Sequence, residues 1–315
     1  MIEIRPSEAR DYPAIADIFN LFQPEFPVTV EEIAHSDRTR DPKIRFGRWV
    51  AAVNGRVVGY SSHTQHLDLY HPRKFWVQVR VLPEFQRRGL GGALYDVLLQ
   101  GVLRHDPISM QVSIPEDKTE GLRFAEKRGF VEYSRRWSSL LDLSTFDPAP
   151  YAELQAKMAA EGIEMKSFAE LAVDPRRDEK YYELHTAVDL DVPLPDLLTL
   201  LSFEEFKREF LENPAFLPQG TSVAVHNGEY VGLNSLVGAG EGTWVDLTGV
   251  HRDHRRKGIA LALKVHGILW ARQQGYKTMG VTNDLVNEGI LAINERLGFV
   301  RQPAVLQLRK MFEAE

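Results

Sequence analysis

The segment Val50-Ala-Ala-Val-Asn54-Gly55-Arg-Val-Val-Gly59 returns later in the chain as Val223-Ala-Val-His-Asn227-Gly228-Glu-Tyr-Val-Gly232. An internal repeat constrains a fold more than any single motif, because the chain must build the same unit twice. Each copy is a pair of apolar runs around Asn-Gly, the dipeptide that supplies the positive φ angles of a two-residue hairpin turn. Two further pairs recur at a common offset of 169 residues. Gln86-Arg87-Arg88-Gly89-Leu90-Gly91 returns as Arg255-Arg256-Lys257-Gly258-Ile259-Ala260, and Gly129-Phe130 returns as Gly298-Phe299. A length of 315 residues leaves room for two domains of ordinary size.

Both halves read in one order: strand, helix, hairpin, strand, glycine-rich turn, helix, strand, helix, Gly-Phe, final strand. That order predicts a mixed α/β domain in each half. In the first half the pattern predicts strands over 2–5, 48–53, 57–63, 75–81, 109–113 and 131–143, with a helix over 90–104 whose Leu90, Leu94, Val97 and Leu98 keep helical spacing. In the second half it predicts strands over 163–168, 221–226, 230–237, 243–250, 278–282 and 304–310, and helices over 178–188, 260–274 and 287–297. The turn-rich Leu143–Pro150 stretch follows the last strand of the first copy. The expected domains are therefore 1–147 and 163–315, joined by a connecting helix and linker over 148–162. Residues 170–218 match their counterpart least, and Pro193-Leu194-Pro195 interrupts any long helix there. This stretch is expected to form part of a substrate-side lid.

A strand that ends in a glycine-containing turn and enters a helix presents unpaired N–H groups and a partial positive charge to an anion. A pyrophosphate suits such a place, with Gly89 and Gly91 admitting close approach in the first copy and Gly258 and Ala260 in the second. Arg87 and Arg88 add charge to the first turn. The most basic stretch, His251-Arg-Asp-His-Arg-Arg-Lys257, coincides with the second and is read as phosphate binding.

These residues carry a family resemblance. Val79 to Gly91, read as Val-x-Val-x-Pro-x-x-Gln-Arg-x-Gly-x-Gly, together with Gly129-Phe130, is similar to the acetyl-CoA signature of the GNAT superfamily of N-acetyltransferases. Thr248 to Ala260, followed by Asn287 and Leu297-Gly298-Phe299, is similar to the same signature. The chain thus resembles tandem two-domain members, over nearly its whole length and least in 170–218. The resemblance implies two GNAT domains, each a mixed, mostly antiparallel sheet flanked by helices. It implies acetyl-CoA as acyl donor and direct attack by an amine, with no covalent enzyme intermediate. It places pantetheine along Val79, Arg80 and Val81, or along Thr248, Gly249 and Val250. It places the pyrophosphate on the turn amides of Arg87, Arg88, Gly89, Leu90, Gly91 and Gly92, or on the second turn, Arg255, Arg256, Lys257, Gly258, Ile259, Ala260 and Leu261, with Asn287 as a further CoA contact.

Two departures bear on the chemistry. Many family members carry a tyrosine four residues before the glycine of Gly-Phe, where it protonates the leaving thiolate; that position is Ala125 in one copy and Asn294 in the other. On the strand entering the second turn, Trp244, Asp246, Thr248 and Val250 share a face by period-two alternation. Asp246 then points toward the reacting end, and a partly buried carboxylate beside Trp244 suits a general base near neutral pH. Val77 takes that position in the first copy and Lys118 takes that of Asn287. The second domain is therefore expected to carry the chemistry, and the first to contribute structure or a second cofactor site.

The acceptor is expected to be a small-molecule or peptide amine. A different class remains beside it, an acyl-CoA-binding sensor or assembly module without turnover. A net charge of −6 argues against a nucleic-acid or anionic-membrane partner. The absence of cysteine excludes disulfides, thiolate metal sites and a cysteine nucleophile. No secretory leader pattern and no run of about 18 apolar residues is present, which suggests the cytoplasm. His63, His66 and His71 are not held on one face, so no metal is expected there. Phe19, Phe22, Phe26, Trp76 and Trp137 read as core or pocket wall, and Glu205, Glu209 and Glu212 as a solvated helix face.

Overall fold

The computed structural model describes residues 2–24, 26–192, 196–284 and 288–312, so Asn287 and Pro193-Leu194-Pro195 lie outside the described residues. In chain order the first half contains β1 (Ile2–Pro6), α1 (Tyr12–Phe22), α2 (Val30–Thr39), β2 (Gly47–Val53), β3 (Arg56–Thr64), β4 (Lys74–Val81), α3 (Leu90–Leu103), β5 (Ser109–Pro115), α4 (Thr119–Glu126) and β6 (Val131–Asp142). The second contains α5 (Leu154–Ala160), β7 (Ile163–Ser167), α6 (Arg177–Asp189), α7 (Phe203–Phe206), β8 (Ser222–His226), β9 (Glu229–Ala239), β10 (Gly242–Val250), α8 (Ile259–Gln273), β11 (Thr278–Asp284), α9 (Glu288–Arg296) and β12 (Val300–Met311). The expected elements are present, with ends moved by a few residues.

Both hairpins turn where Asn-Gly requires it. Asn54 and Gly55 sit at φ 51° and 83°, and Asn227 and Gly228 at 52° and 81°. That left-handed pair matches the twist of the flanking strands and fixes their register. Val50 faces Tyr60 across one hairpin, and Val223 faces Leu233 across the other.

The chain forms two compact units, and they are not the contiguous stretches 1–147 and 163–315. One comprises Met1–Arg135, Pro195–Thr199 and Pro303–Glu315; the other comprises Arg136–Leu194 and Leu200–Gln302. In the first unit the strands run β1-β2-β3-β4-β5-β12, and in the second β6-β11-β10-β9-β8-β7. The last strand of each half is thus exchanged: β12 pairs antiparallel with β5, from Val305 opposite Pro115 to Met311 opposite Ser109, and β6 pairs with β11. Each sheet is antiparallel except for one parallel pair, β4–β5 and β10–β11.

Residues 170–218 divide between the units. α6 and α7 pack on the second through Tyr181, Leu184, Val188 and Phe206. Asp196 to Thr199 join the first, where the Asp196 carboxylate accepts from Lys74 Nζ at 2.9 Å and from Arg309 at 2.7 Å. In each unit the helix after the glycine turn covers one face of the sheet. Leu90 and Leu94 of α3 pack with Ala51, Val58 and Val81, while Ile259 and Leu263 of α8 pack with Ala224, Val231 and Val250.

Candidate functional site

Both glycine-rich turns have one backbone conformation. Arg87 and Gly89 sit at φ 61° and 83°, and Arg256 and Gly258 at 64° and 84°, with a residue of negative φ between each pair. Alternating signs of φ turn successive N–H groups toward one side. The first helical bonds close from Ala93 N–H to Gly89 and from Ala262 N–H to Gly258, both at 3.0 Å. Helix geometry therefore leaves the amides of Leu90 to Gly92 and of Ile259 to Leu261 free of intrahelical partners. A Cβ built on Gly89 meets nothing within 4 Å, and one on Gly258 meets only Met158 Cε at 4.0 Å. Each turn is an amide-lined cradle open above its capping glycine, which suits a diphosphate.

The turns are tied to their strands by matching bonds. Gln86 Nε2 donates to the Val81 carbonyl at 2.8 Å, and Arg255 Nε, at the equivalent position, donates to Val250 at 3.0 Å. The charge around them is arranged differently. Arg87 pairs with Glu120 at 2.8 Å, whereas Arg252, at 2.9 Å, and Arg255 both donate to Asp191.

Beside each turn the sheet forks. The β10–β11 ladder runs from Thr243–Met279 to Val245–Val281 and ends, while β10 continues to Val250 and β11 continues along β6 to Asp284. In the first unit the β4–β5 ladder ends at Trp76–Gln111 while β4 continues to Val81. Each fork exposes a strand edge on which an extended polyamide arm can pair.

The forks differ at one point. β10 carries a bulge: Val245 lies opposite Leu236 and Thr248 opposite Asn234, so three steps on one strand match two on the other. β4 follows β3 without a register shift. The bulge corrects the expected alternation. Thr248 and Val250 share their face with Val245 and look toward α8, whereas Trp244 lies on the other face. Asp246, the first residue past the ladder, looks toward α6. Gly249 allows α6 to approach, since a Cβ there would lie 2.1 Å from Val188 Cγ1. Its counterpart Arg80 instead sends a half-buried side chain to the Phe19 carbonyl at 3.0 Å and to Gln23.

Asp246 keeps about a third of its side chain exposed, at 35 %, and lies 4.0 Å from Nε2 of His185 on α6. The His185 ring is buried between Phe206, Phe210 and Tyr181, and its Nδ1 lies 3.4 Å from Asp189. Burial favours the neutral ring, but the Asp189 and Asp246 carboxylates outweigh it and push the pKa up to about 9. His185 is therefore an imidazolium at neutral pH, held between two carboxylates that are both partly open to solvent.

Behind the fork lies a set of buried polar groups on α8, α9 and β9. Lys264 is 1 % exposed, and its Nζ has no hydrogen-bond partner; burial pushes its pKa down to about 7. Both polar atoms of buried Asn294 are likewise without partners. Asn234 accepts from Thr248 Oγ1 at 2.7 Å across the bulge, but its Nδ2 is unpartnered.

A family model described as the Acetyltransferase (GNAT) family matches residues 15–130 and 180–299. The chain belongs to the GNAT acetyltransferase family. It is a tandem GNAT N-acetyltransferase, an acyl-CoA N-acyltransferase with one GNAT region in each half. It is similar to a mycothiol acetyltransferase from Thermobispora bispora, 29% identical over 238 residues that cover 73% of this chain and 74% of that one. Another from Catenulispora acidiphila is 25% identical over 237 residues, covering 72% and 69%. Among solved structures, a tandem GNAT protein from the clavulanic acid biosynthesis pathway matches with a TM-score of 0.75 at 19% identity over all of both chains. A GCN5-related N-acetyltransferase from Sphaerobacter thermophilus matches with a TM-score of 0.71 at 20% identity, over 99% of this chain and 96% of that one.

Of the residues singled out from sequence, those of both turns form the open amide-lined cradles, and Val79 to Val81 and Thr248 to Val250 lie on the strands that run past the two forks. His185 and Asp189 were missed, because a lone histidine in a helix gives no signal until α6 lies across β10. His63 packs among Trp49, Phe75 and His105, and burial pushes it down to about 4. Glu209 and Glu212 pair with Arg208 and Lys207, and Glu205 caps Ser202. Among the described residues no group of three or more His, Asp or Glu could hold a metal, and no helix is long and apolar enough to cross a membrane.

Proposed function

We propose that the chain transfers an acetyl group from acetyl-CoA to a primary amine of a small molecule or peptide, with the second unit as catalyst. The observation that carries this reading is the place of Asp246, the first residue beyond the last β10–β11 ladder pair and partly open to solvent. Pantetheine paired along Thr248 to Val250, with its diphosphate on the amides from Arg256 to Leu261, directs the thioester to that fork. An ammonium acceptor gives its proton to the Asp246 carboxylate, and the freed amine attacks the carbonyl carbon. The His185 imidazolium fixes the carboxylate on the α6 side. The curated relatives act as mycothiol acetyltransferases, which favours a small-molecule acceptor.

The first unit supports only a donor-binding role. Its fork residue is Val77, 5 % exposed, which cannot accept a proton. That observation favours a second reading for this unit alone, an acyl-CoA site without turnover.

Thiol release from acetyl-CoA, followed colorimetrically against polyamines, amino acids, aminoglycosides, amino sugars and N-terminal peptides, tests the reading without background, because the chain contributes no thiol. At least one amine is expected to release CoA above the rate of hydrolysis. Tight acetyl-CoA binding with no release on any of them would replace this reading by the sensor.

A further inference from the structure

We propose that Lys264 is a second catalytic residue of the second unit, the proton donor to the departing CoA thiolate. This rests on the reading that the second fork holds the thioester.

A lysine with no partner inside a protein is expensive, since its ammonium loses hydration and gains nothing in return. Lys264 is 1 % exposed in a helix whose neighbours Leu261, Ala262, Leu263 and Val265 are all core residues. Nothing in the packing requires a cation there. Its position on α8 gives the reason. Gly267, one turn further on, lies so close to the sheet that a Cβ would stand 2.8 Å from Asn234 Nδ2. Residues three apart share a helix face, so Lys264 looks the same way one turn nearer the glycine turn, toward β9 and β10 at the bulge. Its Nζ lies 5.6 Å from the centroid of the Phe299 ring, and the Phe299 amide donates to the Asn294 carbonyl at 3.0 Å. The ammonium thus stands between α8, the forked sheet and the segment after α9. Buried polar atoms without partners also occur on α9, at both side-chain atoms of Asn294, and on β9, at Nδ2 of Asn234. Asn294 has no acidic proton. Lys264 has one, and burial alone, with no charged neighbour acting on it, brings it to about 7, where donor and conjugate base coexist at neutral pH.

The step balances. The amine nitrogen forms its bond to the carbonyl carbon and the C–S bond breaks. The sulfur leaves with the electron pair and takes a proton from Lys264 Nζ, which becomes a neutral amine. The acceptor nitrogen sheds two protons in turn, one as the ammonium before attack and one as the amide forms; Asp246 takes each and passes it to water before the next. Lys264 regains its proton from water once CoA has left.

The test reads the thiol of bound CoA directly. A cysteine-free chain contributes no thiolate absorbance, so the ultraviolet thiolate band of bound CoA can be titrated with pH in the intact protein. An ammonium within about 4–6 Å should lower that thiol's pKa by about 1–3 units below free CoA. In Lys264→Met, and in Lys264→Gln as a second variant, the lowering should vanish while CoA binds at mildly acid pH with affinity near that of the parent. A lowering that persists in both variants overturns the proposal and leaves the second-unit reading intact. A lowering that survives Gly258→Glu arises outside the second turn, and overturns both.

Discussion

Asp246→Asn should lower kcat/KM for amine acetylation by about 10²–10⁴-fold, the usual worth of a positioned general base. A thousandfold loss is about 4 kcal/mol of transition-state stabilisation. Asparagine keeps the shape of the side chain and removes only its ability to take a proton. CoA affinity should be unchanged, because the turn amides and the Thr248 to Val250 edge do not involve the Asp246 side chain. The variant also changes His185, which loses one of two carboxylates. A raised histidine pKa contributes stability that is fully present below its ordinary value of about 6.5 and is lost as pH rises through about 9. Urea midpoints of parent and variant should therefore differ most near pH 6 and converge above about pH 9. A variant within about threefold of the parent in kcat/KM would remove Asp246 from the chemistry.

Lys264→Met should stabilise the protein in the absence of CoA by about 2–4 kcal/mol at neutral pH, although it damages turnover. Burial lowers this lysine from its ordinary 10.5 to about 7, so the unfolded chain binds a proton that the folded chain does not between those values. Stability of the parent therefore rises with pH across that window, and the full penalty is present below about pH 7. Methionine fills a similar volume without a charge to desolvate. The gain should be greatest at or below neutral pH and shrink toward about pH 10. Unfolding midpoints of the two proteins at several pH values measure it directly. A variant less stable than the parent at neutral pH would mean that Lys264 is already well solvated or paired.

What could be read from the sequence was what the backbone must do locally. Asn54-Gly55 and Asn227-Gly228 announce hairpins because few other residues accept two positive φ angles in succession, and Gly89 and Gly258 announce cradles for the same reason. The period of the apolar residues placed α3 and α8. The bulge in β10 was hidden, because its extra residue is defined only by the pairing of Val245 with Leu236 and Thr248 with Asn234. Strict alternation consequently put Asp246 on the same face as Val250. The exchange of β6 and β12 was hidden as well. Each closing strand carries the pattern its own half requires, and either sheet accepts it. His185 reaches Asp246 only through the packing of α6 on Gly249. Lys264 did leave a trace, as the one charged residue in the run Ile259 to Val265, where a surface lysine would be expected on a polar face.

The central claim is that the second fork performs the transfer, and the most direct measurement compares turnover after the same insult to each turn. Glutamate at Gly258 or at Gly89 demands a side chain at a positive φ and puts a carboxylate where the diphosphate would lie. Acetyl transfer to an active amine should fall by more than about 10²-fold in Gly258→Glu and far less in Gly89→Glu. Turnover that survives Gly258→Glu and is lost in Gly89→Glu would contradict the account and make the first unit the catalyst.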